Sequence, residues 1–388
     1  MKKNILTSLA AILLTASASA QFKFTDIVRL PCMAIQDQAF SGTCWCFSSM
    51  SFIESEMMAQ GIQNPPNLSE MYVVRQNYID RAQKHVMLHG KMNFGEGSYF
   101  LDNFIVARQY GLMPESAYPN TLPKENSINH SILASKAERF ADSVANDNNK
   151  KLNLEWLNNY TSLINQYLPA PPEKFEYNGK EYTPQSFLKE VVKLDPNNYI
   201  QVTSFSHHDF YKTCILELPD NWRWEPFLNV KVDDLTAIID TSLAMGHTVL
   251  WAADVSENGF NSSKGYALLP GINPKNMKPN DIEAYKAMTP EKQLLNSRTL
   301  ASPGIEMNVT QESRQTDFLN RNTTDDHGMH LIGAAKDQNG NKFYIVKNSW
   351  GNTNQYGGYI YVSVNYVKAK TTGILVNKDV VDKMNFPK

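Results

Sequence analysis

Apolar positions recur at helical spacing through the first third of this chain and alternate with polar ones through its last third. Phe47, Met50, Ile53, Met57 and Met58 fall on one face of a helix predicted from Cys44 to about Gln60, with Gly61 as its stop. Pro65-Pro66 breaks the chain, and Ser69 is placed to cap a second helix through Met71, Val74, Tyr78 and Ile79. A third helix is predicted over Tyr99 to Tyr110, ending at Gly111. Ahead of the first, Phe24 to Ala34 reads as extended. In the last third, Met329 to Ala335 and Lys342 to Lys347 read as strands joined through Asn339-Gly340, a strong hairpin signal. Gly358 to Val364 continues that pattern. Between these parts, helices are predicted over Ser131 to Ala145, Leu152 to Gln166 and near Gln185 to Leu194. Phe205 to Leu218, Asn229 to Val232 and Thr248 to Asp254 read as strands or buried segments, and Glu283 to Asn320 has no readable period. A helical part followed by an antiparallel sheet predicts an α+β protein in two lobes.

The first twenty residues stand apart from that pattern. Lys2 and Lys3, an apolar run from Ile5 to Leu14, and Ala18-Ser19-Ala20 read as a signal peptide with its cleavage site, too short to span a bilayer. No cysteine follows the cleavage site directly, so no lipid anchor is indicated, and no other run is long enough to cross a membrane. The mature protein is expected to be exported, either periplasmic or secreted. A net charge of −2 gives no footprint for nucleic acid or an anionic membrane and leaves peptides as the expected partners. The four cysteines (Cys32, Cys44, Cys46 and Cys214) are too few for a disulfide scaffold. Cys32 and Cys214 are left open as a pair. The histidines outside the last third are scattered, so neither a metal site nor a cofactor is expected.

Chemistry concentrates in three blocks. The first is Gln38-Ala-Phe-Ser-Gly-Thr-Cys44-Trp45, which puts a thiol at the first turn of the predicted helix. A thiol attacks as its thiolate, and the N–H groups and dipole of a helix N-terminus stabilise that anion. A glutamine six residues upstream can loop back to aim its amide N–H, with the Cys44 backbone N–H, at one developing oxyanion. The second block is Asp326-His327-Gly-Met-His330, and the third is Val346-Lys-Asn348-Ser-Trp350-Gly. An asparagine oxygen accepting from one nitrogen of His327 would aim the other at sulfur. Trp350 would cover that bond from water. His330 falls three residues on, hence on the opposite strand face, and Cys46 is read as packing.

These blocks resemble papain-like cysteine peptidases, and most closely the branch of bleomycin hydrolase and bacterial aminopeptidase C. Ser-Gly-x-Cys-Trp around Cys44, His327-Gly-Met and Val346-Lys-Asn348-Ser-Trp-Gly carry the resemblance. Weaker likenesses at Leu68-Ser-Glu70, Tyr110-Gly-Leu-Met-Pro114, Val249-Leu-Trp-Ala-Ala-Asp254 and Val376-Asn-Lys-Asp379 extend it over nearly the whole mature chain. The resemblance implies Cys44, His327, Asn348 and Gln38 as catalytic residues, with Gly97, Trp45 and Trp350 along the substrate. It implies a papain-like two-lobe fold with a large, mainly helical insertion. The expected organisation is 1–20 signal peptide, 21–123 helical lobe, 124–247 insertion and 248–388 β lobe. It also implies a possible homo-oligomer, a hexamer in relatives. Glu96 stands where relatives carry a peptide-binding glycine, and is expected to point to solvent. The chain ends at Asp382-Lys-Met-Asn-Phe-Pro-Lys388, shorter than the arm that restricts relatives to free amino ends. Aminopeptidase action is therefore expected first, endopeptidase action through an open cleft second, a non-catalytic peptide-binding protein third and acyl transfer last.

Overall fold

The computed structural model describes residues 22–121, 128–147, 155–257, 259–270, 282–283, 286–289 and 306–387. The expected signal peptide lies outside them. The chain enters through strand β1 (Thr25–Arg29) and then builds helices α1 (Cys44–Ala59), α2 (Glu70–Met87) and α3 (Phe100–Tyr110). The Ser69 hydroxyl accepts from Tyr72 N (3.1 Å), so the predicted cap opens α2. Helices α4 (Ser131–Ala145) and α5 (Glu155–Ile164) pack beside α2, and their Leu133, Ala137, Ala141, Tyr160 and Ile164 join its core.

A small hairpin, β2 (Phe175–Tyr177) and β3 (Lys180–Tyr182), turns at Asn178-Gly179, both at positive φ. A short helix α6 (Pro184–Phe187) follows, continued by one wider turn over Leu188–Val192. The chain then crosses into a single large sheet. Its strands are β4 (Tyr199–Thr203), β5 (Lys212–Ile215), β6 (Pro226–Asn229), β7 (Val249–Ala253), β8 (Phe260–Asn261), β9 (Tyr266–Ala267), β10 (His327–Lys336), β11 (Lys342–Lys347), β12 (Tyr359–Ser363) and β13 (Thr371–Asn377). They lie in the order β5-β6-β4-β13-β7-β10-β11-β12-β9-β8, with β1 paired to β10. Helices α7 (Val232–Ala244), α8 (Gln311–Leu319), α9 (Val364–Lys370) and α10 (Lys378–Lys383) complete the β lobe.

The middle of the chain is divided where the sequence pattern drew no boundary. Residues up to Leu194 pack with the helical lobe, whereas Tyr199 onward supplies β4, β5 and β6 to the main sheet. An insertion running from 124 to 247 is therefore not one helical unit. The reason is non-local pairing: β4 hydrogen-bonds with β13, with Val202 opposite Ile374, and neither strand reads as half of a hairpin. Helix α8 lies within the stretch that had no readable period, and is opened by Thr310 accepting from Ser313 N.

Helix α1 runs between the lobes and is buried on every side, including Ser48, Ser49, Ser51, Glu54, Ser55 and Glu56. Its predicted apolar stripe is real, but the polar face meets protein rather than water. Serine hydroxyls on that face bond back into the helix, Ser48 to Cys44 O and Ser49 to Trp45 O, both at 2.7 Å. Glu54 accepts from Leu68 N (3.0 Å), and Glu70 of α2 accepts from Asn120 Nδ2 (2.6 Å). Burial pushes Glu54 up to about 7 and Glu70 up to about 8, the two carboxylates opposing each other in Glu70's case.

This has a consequence for stability against pH. The folded state keeps protons on Glu54 and Glu70 that the unfolded chain releases near 4.5, so folding binds protons in between and stability falls as pH rises. Below about 6.5 the buried His330, held well below its ordinary value by burial and then by Lys347, works in the opposite sense. The decline is therefore cleanest from pH 6.5 to 8, where Glu70 alone contributes about 2 kcal/mol at 1.36 kcal/mol per pH unit. Thermal unfolding should show wild-type Tm falling across that window, and Glu70→Gln falling much less. Equal declines in both proteins would refute the assignment.

Candidate active site

Cys44 is the first residue of α1. No side chain caps that helix: the Thr43 hydroxyl is instead shared with Ser41 at 2.6 Å. Cys46 N donates to Thr43 O (2.9 Å), while the Cys44 and Trp45 amides ahead of it are not consumed by a cap and can face an anion. The Gly328 amide, from the start of β10, donates to Cys44 Sγ at 3.4 Å. A Cβ on residue 328 would approach the Phe100 ring to 2.9 Å, so glycine is what lets this strand come so close to the helix.

The strand pair β10 and β11 sets the rest. His330 pairs with Lys347, which places Asn348 opposite Met329 and leaves His327 one diagonal step away on the same face. His327 Nε2 and Asn348 Oδ1 are 2.7 Å apart. That bond makes Nε2 the protonated nitrogen and leaves Nδ1 as the base, since an amide oxygen only accepts. Trp350 lies over the imidazole with ring centres 4.6 Å apart. On the other strand face, His330 and Lys347 both reach Ser51 of α1, at 2.9 and 2.6 Å. Alternation thus separates the two histidines.

Gln38 is buried and fully oriented. Its Nε2 donates to Ser41 O (2.7 Å), and its Oε1 accepts from the Ser349 hydroxyl (2.6 Å). Its own amide bonds to Ser349 O (2.9 Å), tying the loop before Cys44 to the residue after Asn348. One N–H of the amide group is committed to Ser41; the second is the one an oxyanion would receive.

Burial pushes the Cys44 thiol up to about 12, with the Gly328 amide opposing and Asp220 and Asp325 adding to the rise. Burial likewise takes His327 down to about 4, against the pull of Asn348. Each charge alone is disfavoured here. Transfer of the thiol proton to Nδ1 creates two opposite charges together, and in a dry site their attraction offsets much of the separate cost.

The remaining residues expected along the substrate stand differently. Trp45 is only 2% exposed, and its indole N–H donates to Glu96 O at 3.0 Å, so it braces the Gly95–Ser98 loop from beneath and offers no face to a peptide. Its place in the first turn turns it into the core. The Glu96 carboxylate does not point to solvent; it accepts from Gly42 N at 2.6 Å and steadies the loop before Cys44. Gly97 is covered by Asp220, whose Oδ2 lies 2.1 Å from where a Cβ would be. No motif marks Asp220, which arrives from the loop between β5 and β6. All four cysteines are free, and Cys32 Sγ lies 3.4 Å from Tyr359 OH. His207 and His208, read as scattered, converge on Glu217 Oε2 at 3.1 and 3.0 Å. That ion-pair cluster sits apart from the blocks above in sequence, and only the fold of residues 204–217 assembles it.

A thiol at a helix start, an Asn-oriented histidine on a facing strand, and a helical lobe against a β lobe define a papain-like cysteine peptidase. Residues 85–288 match the Peptidase C1-like family and residues 301–378 the papain family of cysteine proteases. The first match spans more than half of the chain, which belongs to the Peptidase C1-like family. Aminopeptidase C of Lactococcus lactis subsp. cremoris is 23% identical over 420 residues, covering 98% of this chain and 88% of that protein. Aminopeptidase G of Lactobacillus delbrueckii subsp. lactis is 20% identical, covering 92% of this chain and 83% of its own. Among solved structures, PepW from Lactobacillus rhamnosis HN001 superposes with a TM-score of 0.68 at 18% identity, over 92% of this chain and 85% of that one.

Proposed function

We propose that this chain is an aminopeptidase that cleaves through a thioester acyl-enzyme. Cys44 attacks the carbonyl of the substrate's first residue. The developing oxyanion is held by the Gln38 side chain and the Cys44 amide, and His327, oriented by Asn348, passes the thiol proton to the leaving amine. Water, activated by the same histidine, then releases the amino acid. The observation that carries the chemistry is the Gly328 amide on Cys44 Sγ with the adjacent His327 bonded to Asn348. The exopeptidase choice is supported by the aminopeptidase relatives that span nearly the whole chain, and by Asp220 lying over Gly97. Residues 1–20 add export to this reading.

The test is one peptide offered with a free and with an acetylated N-terminus under reducing conditions. Only the free form should be shortened, one residue at a time. Internal cleavage of both forms would make the protein an endopeptidase, and no cleavage of either by folded, reduced protein would leave a peptide-binding protein.

A further inference from the structure

Two carboxylates flank Cys44, and neither comes from the three blocks themselves. Asp220 is on the loop between β5 and β6, and Asp325 lies two residues before His327. Both are near enough to Cys44 for their charges to oppose its ionisation. The loop that carries Asp220 is fastened to the helical lobe. Trp222 Nε1 donates to Ser98 Oγ at 2.8 Å, and Arg223 pairs with Asp80 at 2.8 Å and with Asp102 at 3.3 Å. Trp222 also lies against the guanidinium of Arg81.

Asp220 is consequently held in one place. Its Oδ1 receives Asn93 Nδ2 (3.3 Å) and faces Arg81 at 4.0 Å, while Oδ2 lies over Gly97. Beyond the effect of burial, Asp325 lies close enough to Asp220 for the Asp220 charge to oppose its ionisation. Asp325 Oδ2, in contrast, is sealed from solvent and has no hydrogen-bond partner. A buried carboxylate oxygen without a donor costs free energy unless a ligand supplies one.

The ligand follows from the position. In a peptide cut after its first residue, the α-ammonium nitrogen is roughly 2.5 Å from the carbonyl carbon that sulfur attacks. A group that reads this ammonium must therefore sit beside the nucleophile. A peptide continuing upstream along Gly97 would meet the Asp220 carboxylate instead of open cleft. We propose that Asp220 and Asp325 form the subsite for the substrate's free α-ammonium, with Asp220 also blocking chain that extends further upstream. The ammonium supplies three donors, enough for the open Asp325 oxygen and for Asp220 Oδ2. Its charge also stabilises the ionised forms of two carboxylates that burial disfavours, Arg81 opposing that effect only at Asp220. The anion that selects the amino end is thus internal to the fold. The described C-terminal residues pack elsewhere, with Met384 Sδ accepting from Thr241 Oγ1 (3.3 Å) and Phe386 against Tyr211.

This assignment rests on the aminopeptidase reading and can fail separately from it. Alanyl and leucyl coumarin amides and their N-acetyl forms are assayed with wild type, Asp220→Asn and Asp325→Asn. Alkylation of Cys44 at the wild-type rate or faster shows that a variant keeps its site, since each removed charge had opposed ionisation of the thiol. Each substitution should lower kcat/KM on the free-amine substrates about 10- to 100-fold, mainly through KM, as expected for one lost charge-assisted contact. The preference for free over acetylated substrate should shrink by the same factor, a change that a merely loosened site would not produce. Wild type cutting both forms alike would sink the aminopeptidase reading and this assignment with it. Wild type that discriminates, alongside variants that discriminate equally well, would leave the reading standing and remove the two aspartates from it. The two residues lie on different segments, so a folding defect in one variant leaves the other to decide.

Discussion

Replacing Cys44 by alanine lowers kcat/KM for peptide hydrolysis by at least about 10⁵-fold, because no other group stands where a nucleophile is needed. The residue begins α1 with its sulfur on the Gly328 amide, a single weak hydrogen bond from the side chain to the described fold. Losing it costs about 1 kcal/mol or less. The variant should therefore unfold within a few degrees of wild type while showing no turnover, and should still bind peptides. Cys46, two residues on, cannot substitute: it is wholly buried and its thiol is turned to Glu70 O. Turnover by Cys44→Ala above the level of a mock preparation would show that the chemistry lies elsewhere.

His327→Ala should cost about 10⁴-fold in kcat, and it carries a second, more diagnostic readout. With the imidazole in place, the thiol proton has somewhere to go, and Cys44 should react with iodoacetamide at neutral pH. Without it, burial and the Asp220 and Asp325 charges hold the thiol above its ordinary value with no base to take its proton, so the thiolate fraction at pH 7 becomes very small. Alkylation of Cys44, followed by mass spectrometry to separate it from Cys32 and Cys214, should then become appreciable only in strongly alkaline solution. The sign is fixed by the pairing: the histidine lowers the pH at which sulfur reacts, and its removal raises it. A variant alkylated at the wild-type rate at pH 7 would mean that the helix terminus, and not His327, activates the thiol. Asn348→Ala should fall between the two, since it leaves the base present but free to turn.

Much of the architecture was legible before the structure because it is local. Helices α1 and α3 begin and end within two residues of where the sequence pattern placed them, α2 starts after its predicted Ser69 cap, and the β10–β11 hairpin turns at Asn339-Gly340 as its dipeptide predicts. The proximity of His327 to Asn348 follows from that hairpin, since strands joined by a tight turn bring fixed positions together. Likewise the position of Cys44 at a helix start needed only the Gly-Thr before it and the apolar spacing after it.

Other features depend on segments that meet only in three dimensions. That β4 lies beside β13, and hence that the middle of the chain is shared between lobes, is a matter of long-range strand pairing that carries no local mark. The burial of α1 on all sides turns its serines and glutamates toward protein and not water, which its apolar spacing alone does not show. Trp45 was expected beside the substrate, and packing instead put it under the Glu96 carbonyl.

The sequence by itself thus determined the first three helices, the β10–β11 hairpin, the class of chemistry and the groups expected to perform it, because spacing within one helix and one hairpin is set by nearest neighbours along the chain. The tertiary structure alone decided what borders the nucleophile. Asp220 reaches Gly97 across 123 residues of sequence through Trp222, Arg223 and their partners on the helical lobe. No periodicity or motif encodes such a contact, since its energy comes from buried ion pairs and hydrogen bonds that exist only once both lobes have closed around α1.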